Sequence, residues 1–248
     1  MEAIFWISHV RVSGIFINFL VSFTLMGKLE MYVGCMFSGK TEKLRDRIHR
    51  ERFRFSHTEQ HPTVQLFKPA IDNRFGTGTE IVSHNGTTTP CVLVSSAADI
   101  AQYVALHSTL RVVGIDEVQF LDDTIIDWCV YTFRHTPLHI IASGLNTDFR
   151  GELFRFRNSE RNMGELIGHA QAEPLTAFCA YRLPNTNLLC GNDATCTQRL
   201  KIDGTPVPYL DPLVHVGGKD PSGERRYEAR CVEHHFVPGR NDRSVTFK

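Results

Sequence analysis

The chain has 248 residues, enough to bury a sizeable core and to divide into one large domain and a small one. Lysine plus arginine, 27, equals aspartate plus glutamate, 27, so no overall field attracts a polyanion or an anionic membrane surface, and a small ligand is favoured over nucleic acid. Seven cysteines, an odd number with four in the last third of the chain, point to a metal site in a reducing, cytoplasmic setting rather than a disulfide framework.

In chain order, the opening "MEAIFWISHVRVSGIFINFLVSFTL" is apolar but carries Glu2, His9 and Arg11, which leaves too short an unbroken apolar run for a membrane span. It has no charged start followed by a small-residue cleavage site either. Residues 1–26 therefore read as an apolar arm ahead of the ordered pattern, and no membrane partner is expected. "KLEMYVGC" then reads as a strand ending at a glycine, and "TEKLRDRIHRERFRF" as the helix after it. The basic residues of that helix alternate with Glu42, Asp46 and Glu51, the pattern of a solvated or intersubunit face.

"TVQLFKPAI" and "CVLVS" are two further strands, and "SAADIAQYVA" a helix opened by a serine cap. "LRVVGIDEVQF" is an apolar strand ending in acids, "DTIIDWCVYTF" a helix, and "LHIIASGL" a buried strand. Strands that are apolar throughout and alternate with helices imply an α/β fold with a mainly parallel sheet covered on both faces. From about Glu173 the pattern changes to short strands broken by proline and glycine. We therefore expect a domain of residues 27–172 and a loop-rich one of 173–248, small enough to need a staple.

"GCMFSGKT", with Gly34, Gly39, Lys40 and Thr41, fits GxxxxGKT between a strand and a helix, the setting of a phosphate cradle. Backbone N–H groups of Cys35, Met36, Phe37 and Ser38 and the helix N-terminus would surround the phosphates, Lys40 would neutralise the β and γ oxygens, and Thr41 would ligate magnesium. A second acid must hold that metal from a strand end, and Asp116 in "IDEVQF" stands in such a place. Glu117, next along, is placed to orient water or to take the proton from an acceptor hydroxyl.

Zinc takes four thiolate or imidazole ligands in a tetrahedron. Cys179, Cys190, Cys231 and His234 are the candidates, the last two forming "CVEH". Ten residues separate Cys179 from Cys190, so Cys196 competes for a place, as His235 does with His234.

The segments "GCMFSGKT", "IDNRFGTG", "IDEVQF", "SGLNTDFRGELF", "CTQRL", "VGGKDPSGERRYEARC" and "CVEHHF" follow one another in an order that resembles the type II thymidine kinases, from about Lys28 to Pro238. The resemblance implies a RecA-like P-loop domain and a small C-terminal zinc domain bearing a lasso loop. It also implies ATP, Mg²⁺ and a structural Zn²⁺, transfer of the γ-phosphate to the 5′-hydroxyl of thymidine or deoxyuridine, dTTP as feedback inhibitor, and a homotetramer. Residue by residue it makes Glu117 the general base, sets Asp72, Arg74 and Gln119 near the phosphates, and places Met36, Phe120, Leu145 and Phe149 around the thymine. Tyr227 would cover the substrate, and the backbone of Val216, Gly217 and Gly218 would bond the pyrimidine. The chain departs from the family at Cys35, where proline is usual, in the insertion "AYRLPNTNLL" between two zinc candidates, and in a lengthened lasso at "DPSGE". A zinc-bearing P-loop ATPase of DNA repair, with a basic surface and DNA-stimulated hydrolysis, is the alternative. An inactive relative that keeps the fold is a further one.

Overall fold

The computed structural model describes residues 5–12, 15–22, 26–56, 63–70, 80–82, 88–213 and 226–241. In the arm, β1 (Phe5–Val12) and β2 (Ile15–Ser22) pair antiparallel with each other. β3 (Lys28–Gly34) leads through the glycine loop to α1 (Lys40–Arg54), followed by β4 (Val64–Pro69), β5 (Glu80–Val82), β6 (Thr88–Pro90) and β7 (Val92–Val94). Next come α2 (Ala97–Leu106), β8 (Val112–Ile115), α3 (Thr124–His135), β9 (His139–Leu145), α4 (Met163–Gly168) and β10 (Gln171–Leu175). The last third holds β11 (Ala177–Phe178), β12 (Asp193–Ala194), β13 (Cys196–Leu200) and β14 (Arg226–Arg230).

Six strands form the central sheet in the order β10-β3-β9-β8-β4-β7, and every neighbouring pair is parallel. A parallel sheet must be covered on both faces, and the all-apolar strand cores meet that need. Met31, Ile115, Ile140 and Ala142 are fully buried in one apolar cluster, while Leu44 and Ile48 of α1 pack with Leu66 and Ile141 in another. The strand β10 runs across the expected boundary at 172/173 and completes the sheet edge beside β3.

Local chemistry explains the element ends. α2 opens with the expected cap: Ser96 Oγ accepts from the Asp99 N–H, and the Asp99 carboxylate accepts from the Ser96 N–H. The strand expected over 110–120 stops at Ile115, because Glu117 turns into the left-handed region at φ 51° and Val118–Phe120 coil into a short 3-10 turn. The basic face of α1 is tied to acids: Arg47 bonds Glu30 and Glu51, and Lys43 bonds Glu173 at 2.8 Å. Among the described residues no helix is long and apolar enough to cross a membrane.

β11 pairs with β12 and β13 with β14, two small antiparallel ribbons. Between them little apolar core exists: Ala194, Ala229 and three cysteines make most of one small cluster.

Candidate active site and metal centre

The loop after β3 is held by close packing. A Cβ on Gly34 would lie 2.3 Å from the Leu175 carbonyl oxygen, so the approach of β3 to β10 admits only glycine there. Gly39 adopts φ 77°, a left-handed turn that aims the first N–H groups of α1 into the loop. Inside the loop Ser38 Oγ donates to the Cys35 carbonyl at 2.8 Å, and Lys40 Nζ donates to the same oxygen at 2.6 Å. Lys40 is buried, so its charge is concentrated on the loop and not spread into solvent.

The acids sit where β8 ends, with β9 lying between β8 and β3. Thr41 Oγ1 donates to the two Asp116 carboxylate oxygens at 3.1 and 3.3 Å, and Ser143 on β9 donates to Asp116 from the other side. Burial first, and then repulsion from Glu117, raises Asp116 to about 6; the Ser143 and Thr41 hydrogen bonds oppose that rise. Two carboxylates forced together in this way form a cation-demanding pair. Thr41 and Asp116 supply hard oxygen donors suited to Mg²⁺.

Glu117 is half-buried, and its carboxylate accepts from Gln119 Nε2 at 2.5 Å. The Gln119 Oε1 in turn accepts the Leu145 N–H at 3.1 Å, and the whole amide is buried. Gln119 thus links the expected base to a residue of the expected thymine cage. Around that cage Leu145 belongs to the main apolar cluster, with Met36 and Phe120 packed against it. Phe149 lies in an adjoining cluster with Val207 and Val237, and Leu213 packs on both. Tyr227 is on β14, opposite Arg199 of β13. Asp72, Arg74, Val216, Gly217 and Gly218 lie outside the described residues.

The cysteines of the last third converge. Ligand atoms of Cys179, Cys190, Cys231 and His234 all lie within 4.8 Å of one another. Cys231 Sγ is 3.2 Å and Cys179 Sγ 3.8 Å from His234 Nδ1, and the Cys190 and Cys231 sulfurs are 4.0 Å apart. Zinc–sulfur bonds near 2.3 Å in a tetrahedron give edges of about 3.8 Å, so the set fits a four-coordinate zinc. Burial pushes the Cys179 thiol up, but backbone N–H groups of Cys231 and Tyr181, with His234 and Cys231, bring it down to about 7. A thiol near that value releases its proton readily to a metal.

The insertion closes on itself, which is how ten intervening residues are accommodated. Leu183 N–H bonds Leu188 O, Cys190 N–H bonds Tyr181 O and Gly191 N–H bonds Cys179 O, so the extra residues form a side hairpin whose stem carries both cysteines. Cys196 stands outside the cluster, with its sulfur 3.8 Å from Thr195 Oγ1, and His235 turns away to the Phe149 carbonyl at 2.9 Å.

Three contributors were not assigned roles from the sequence. Ser143 reaches Asp116, Thr197 accepts the Met36 N–H at 3.0 Å, and Arg199 is fully buried against Phe149. The run "CTQRL" drew attention as a motif, but only the fold shows what its threonine and arginine touch.

Fold and site together define an α/β protein with a parallel six-stranded sheet, a glycine loop facing paired acids, and a Cys₃His appendage. The thymidine kinase family model matches residues 27–235. The chain is 36% identical over 215 residues to a thymidine kinase of Thermococcus kodakarensis, covering 86% of this chain and 95% of that protein. It is 35% identical over 209 residues to a thymidine kinase of Mesoplasma florum, covering 83% and 90%. The chain belongs to the thymidine kinase family.

Proposed function

We propose that this protein transfers the γ-phosphate of ATP to the 5′-hydroxyl of thymidine or deoxyuridine, yielding the monophosphate for DNA synthesis. One observation carries the reading: within a thymidine kinase family chain, the paired acids Asp116 and Glu117 end β8 against Thr41 of the glycine loop. Lys40 and the loop amides of Gly34 to Gly39 hold the donor phosphates. Thr41 and Asp116 would hold Mg²⁺, which would supply charge neutralisation on the phosphate oxygens. Asp72 and Arg74 complete the phosphate side.

Glu117, oriented by Gln119, accepts the proton of the 5′-hydroxyl as that oxygen attacks phosphorus. Met36, Phe120, Leu145, Phe149 and Tyr227 enclose the thymine, and the backbone of Val216, Gly217 and Gly218 reads its polar edge. Cys179, Cys190, Cys231 and His234 would hold zinc, which would staple the small domain that carries Tyr227 on β14. A homotetramer in the cytoplasm, with dTTP as feedback inhibitor, completes the reading.

With the family assigned, the DNA-repair ATPase has no observation in its favour. The test is phosphate transfer from ATP to thymidine by pure protein. Glu117→Gln keeps ATP binding and lowers kcat by about 10²-fold or more. Unchanged kcat in that variant removes Glu117 as the base, and no thymidylate from the wild type removes the function.

A further inference from the structure

Arg199 is 0% exposed, and a guanidinium taken wholly out of water is tolerated only where its charge is paired and most of its donors are used. Here both terminal nitrogens donate, while Nε is buried with no hydrogen-bond partner among the described residues. Its Nη2 donates to the Asp211 carboxylate and to the Pro212 carbonyl at 2.7 Å, and its Nη1 donates to the Leu213 carbonyl at 3.2 Å. The planar face lies on Phe149, with Cζ 3.8 Å from the ring centroid. The same ring has Arg150 5.3 Å from its centroid, and Arg150 also bonds the Asp211 carbonyl at 2.8 Å. Arg199 is moreover the direct cross-strand partner of Tyr227, and opposed residues of an antiparallel pair project from the same face.

One buried cation thus lies on Phe149, which follows β9, and stands opposite Tyr227 in the β13–β14 register. Neither the phosphate loop nor Glu117 bonds it among the contacts described above. We infer that Arg199 is a positioning residue for the nucleoside pocket: it fixes the Phe149 ring by stacking and supports the strand face opposite Tyr227, with Asp211 locking its own orientation. This rests on the reading of the protein as a thymidine kinase. Arginine suits the place because only a planar fork can stack on a ring while donating in its own plane to a carboxylate and two carbonyls. Lysine offers charge without the plane.

The test compares KM for thymidine with KM for ATP in wild type, Arg199→Met, Arg199→Lys and Asp211→Asn, with thermal unfolding measured beside each. Arg199→Met and Arg199→Lys raise the thymidine KM about tenfold while the ATP KM stays within about twofold, the split expected when one pocket loosens and the other does not. Asp211→Asn, which keeps the guanidinium in place with a weaker lock, raises the thymidine KM about threefold and carries the test if the Arg199 variants do not fold. Folded variants whose thymidine KM is unchanged, or in which both KM values rise together, overturn the positioning role while wild-type activity stands. A wild type that makes no thymidylate overturns the functional reading and with it the pocket that Arg199 serves.

Discussion

The backbone N–H of Met36, in the glycine loop, donates to Thr197 Oγ1 on β13 at 3.0 Å. One residue earlier, Cys35 is fully buried among Cys179, Cys231, Ala194 and Ala229, and its thiol donates to the Ala194 carbonyl at 3.3 Å. The loop is thus plugged into the small unit that carries the Cys₃His cluster at two consecutive residues. Burial pushes the Cys35 thiol up, so it packs there as a small neutral side chain. This packing is what a cysteine at position 35 provides.

Replacing Thr197 by valine keeps its shape and removes the acceptor, leaving the Met36 N–H without its partner. The cost is about 1–3 kcal/mol, which appears as a raised KM for ATP and a lower midpoint in denaturant unfolding. Thr197→Ser restores the acceptor and returns both close to wild type. Equal behaviour of the valine and serine variants would show that the hydroxyl does not hold the loop.

Asp116 yields a prediction with a pH sign. Its pKa in the folded protein is raised from 3.8 to about 6 by burial and by Glu117. Between those values the folded protein holds a proton that the unfolded chain has released. Its contribution to stability is therefore full below pH 3.8 and declines as pH rises through about 6. Above that range the ionised Asp116 costs up to about 3 kcal/mol. Asp116→Asn is therefore expected to be more stable than wild type by about 1–3 kcal/mol at pH 7.5, with the gain shrinking toward pH 4, and to have lost Mg²⁺-dependent turnover. Urea unfolding at the two pH values reads the first effect; a variant less stable at pH 7.5 contradicts it.

Much of this was legible in the chain because the signals are local. Apolar strands alternating with helices announced the parallel sheet, and GxxxxGKT and "IDE" marked two segments that the fold joins through Thr41 and Asp116. Ser96 at the start of α2 could be read as a cap from sequence alone. What escaped lies in contacts between distant segments: Ser143 with Asp116, Thr197 with Met36, and Arg199 with Phe149. An arginine two residues after a buried threonine in "CTQRL" reads as a surface charge until the fold supplies Asp211 and an aromatic face. The left-handed turn at Glu117 was hidden for a related reason. Side-chain pattern carries no record of a strained backbone that surrounding packing enforces.

The metal centre sorts the cysteines by role. Cys179→Ser and Cys231→Ser are expected to lose bound zinc, measured as metal per chain, whereas Cys196→Ser retains it, because its sulfur lies outside the four-ligand cluster. Chelation should unfold the small unit first. Losing about 4 kcal/mol lowers the thermal midpoint by roughly 10 °C in a chain of this size, and re-adding zinc restores it. Loss of metal from Cys196→Ser with retention in Cys179→Ser would reverse the ligand assignment.

Gln119 supplies the last prediction. Its buried amide is engaged at both ends, donating to the Glu117 carboxylate and accepting the Leu145 N–H, so it holds the expected base and one wall of the expected pocket at a fixed separation. Gly144 makes room for it: a Cβ there would lie 2.6 Å from Gln119 Oε1. Gln119→Leu removes the donor to Glu117 and leaves the Leu145 N–H unsatisfied, which costs about 1–3 kcal/mol of stability. With Glu117 no longer oriented, kcat falls by about 10- to 100-fold while ATP affinity is little changed. Steady-state kinetics and calorimetric ATP binding on the same preparation separate the two effects. If kcat persists in a folded Gln119→Leu variant, Glu117 is oriented by something other than this amide.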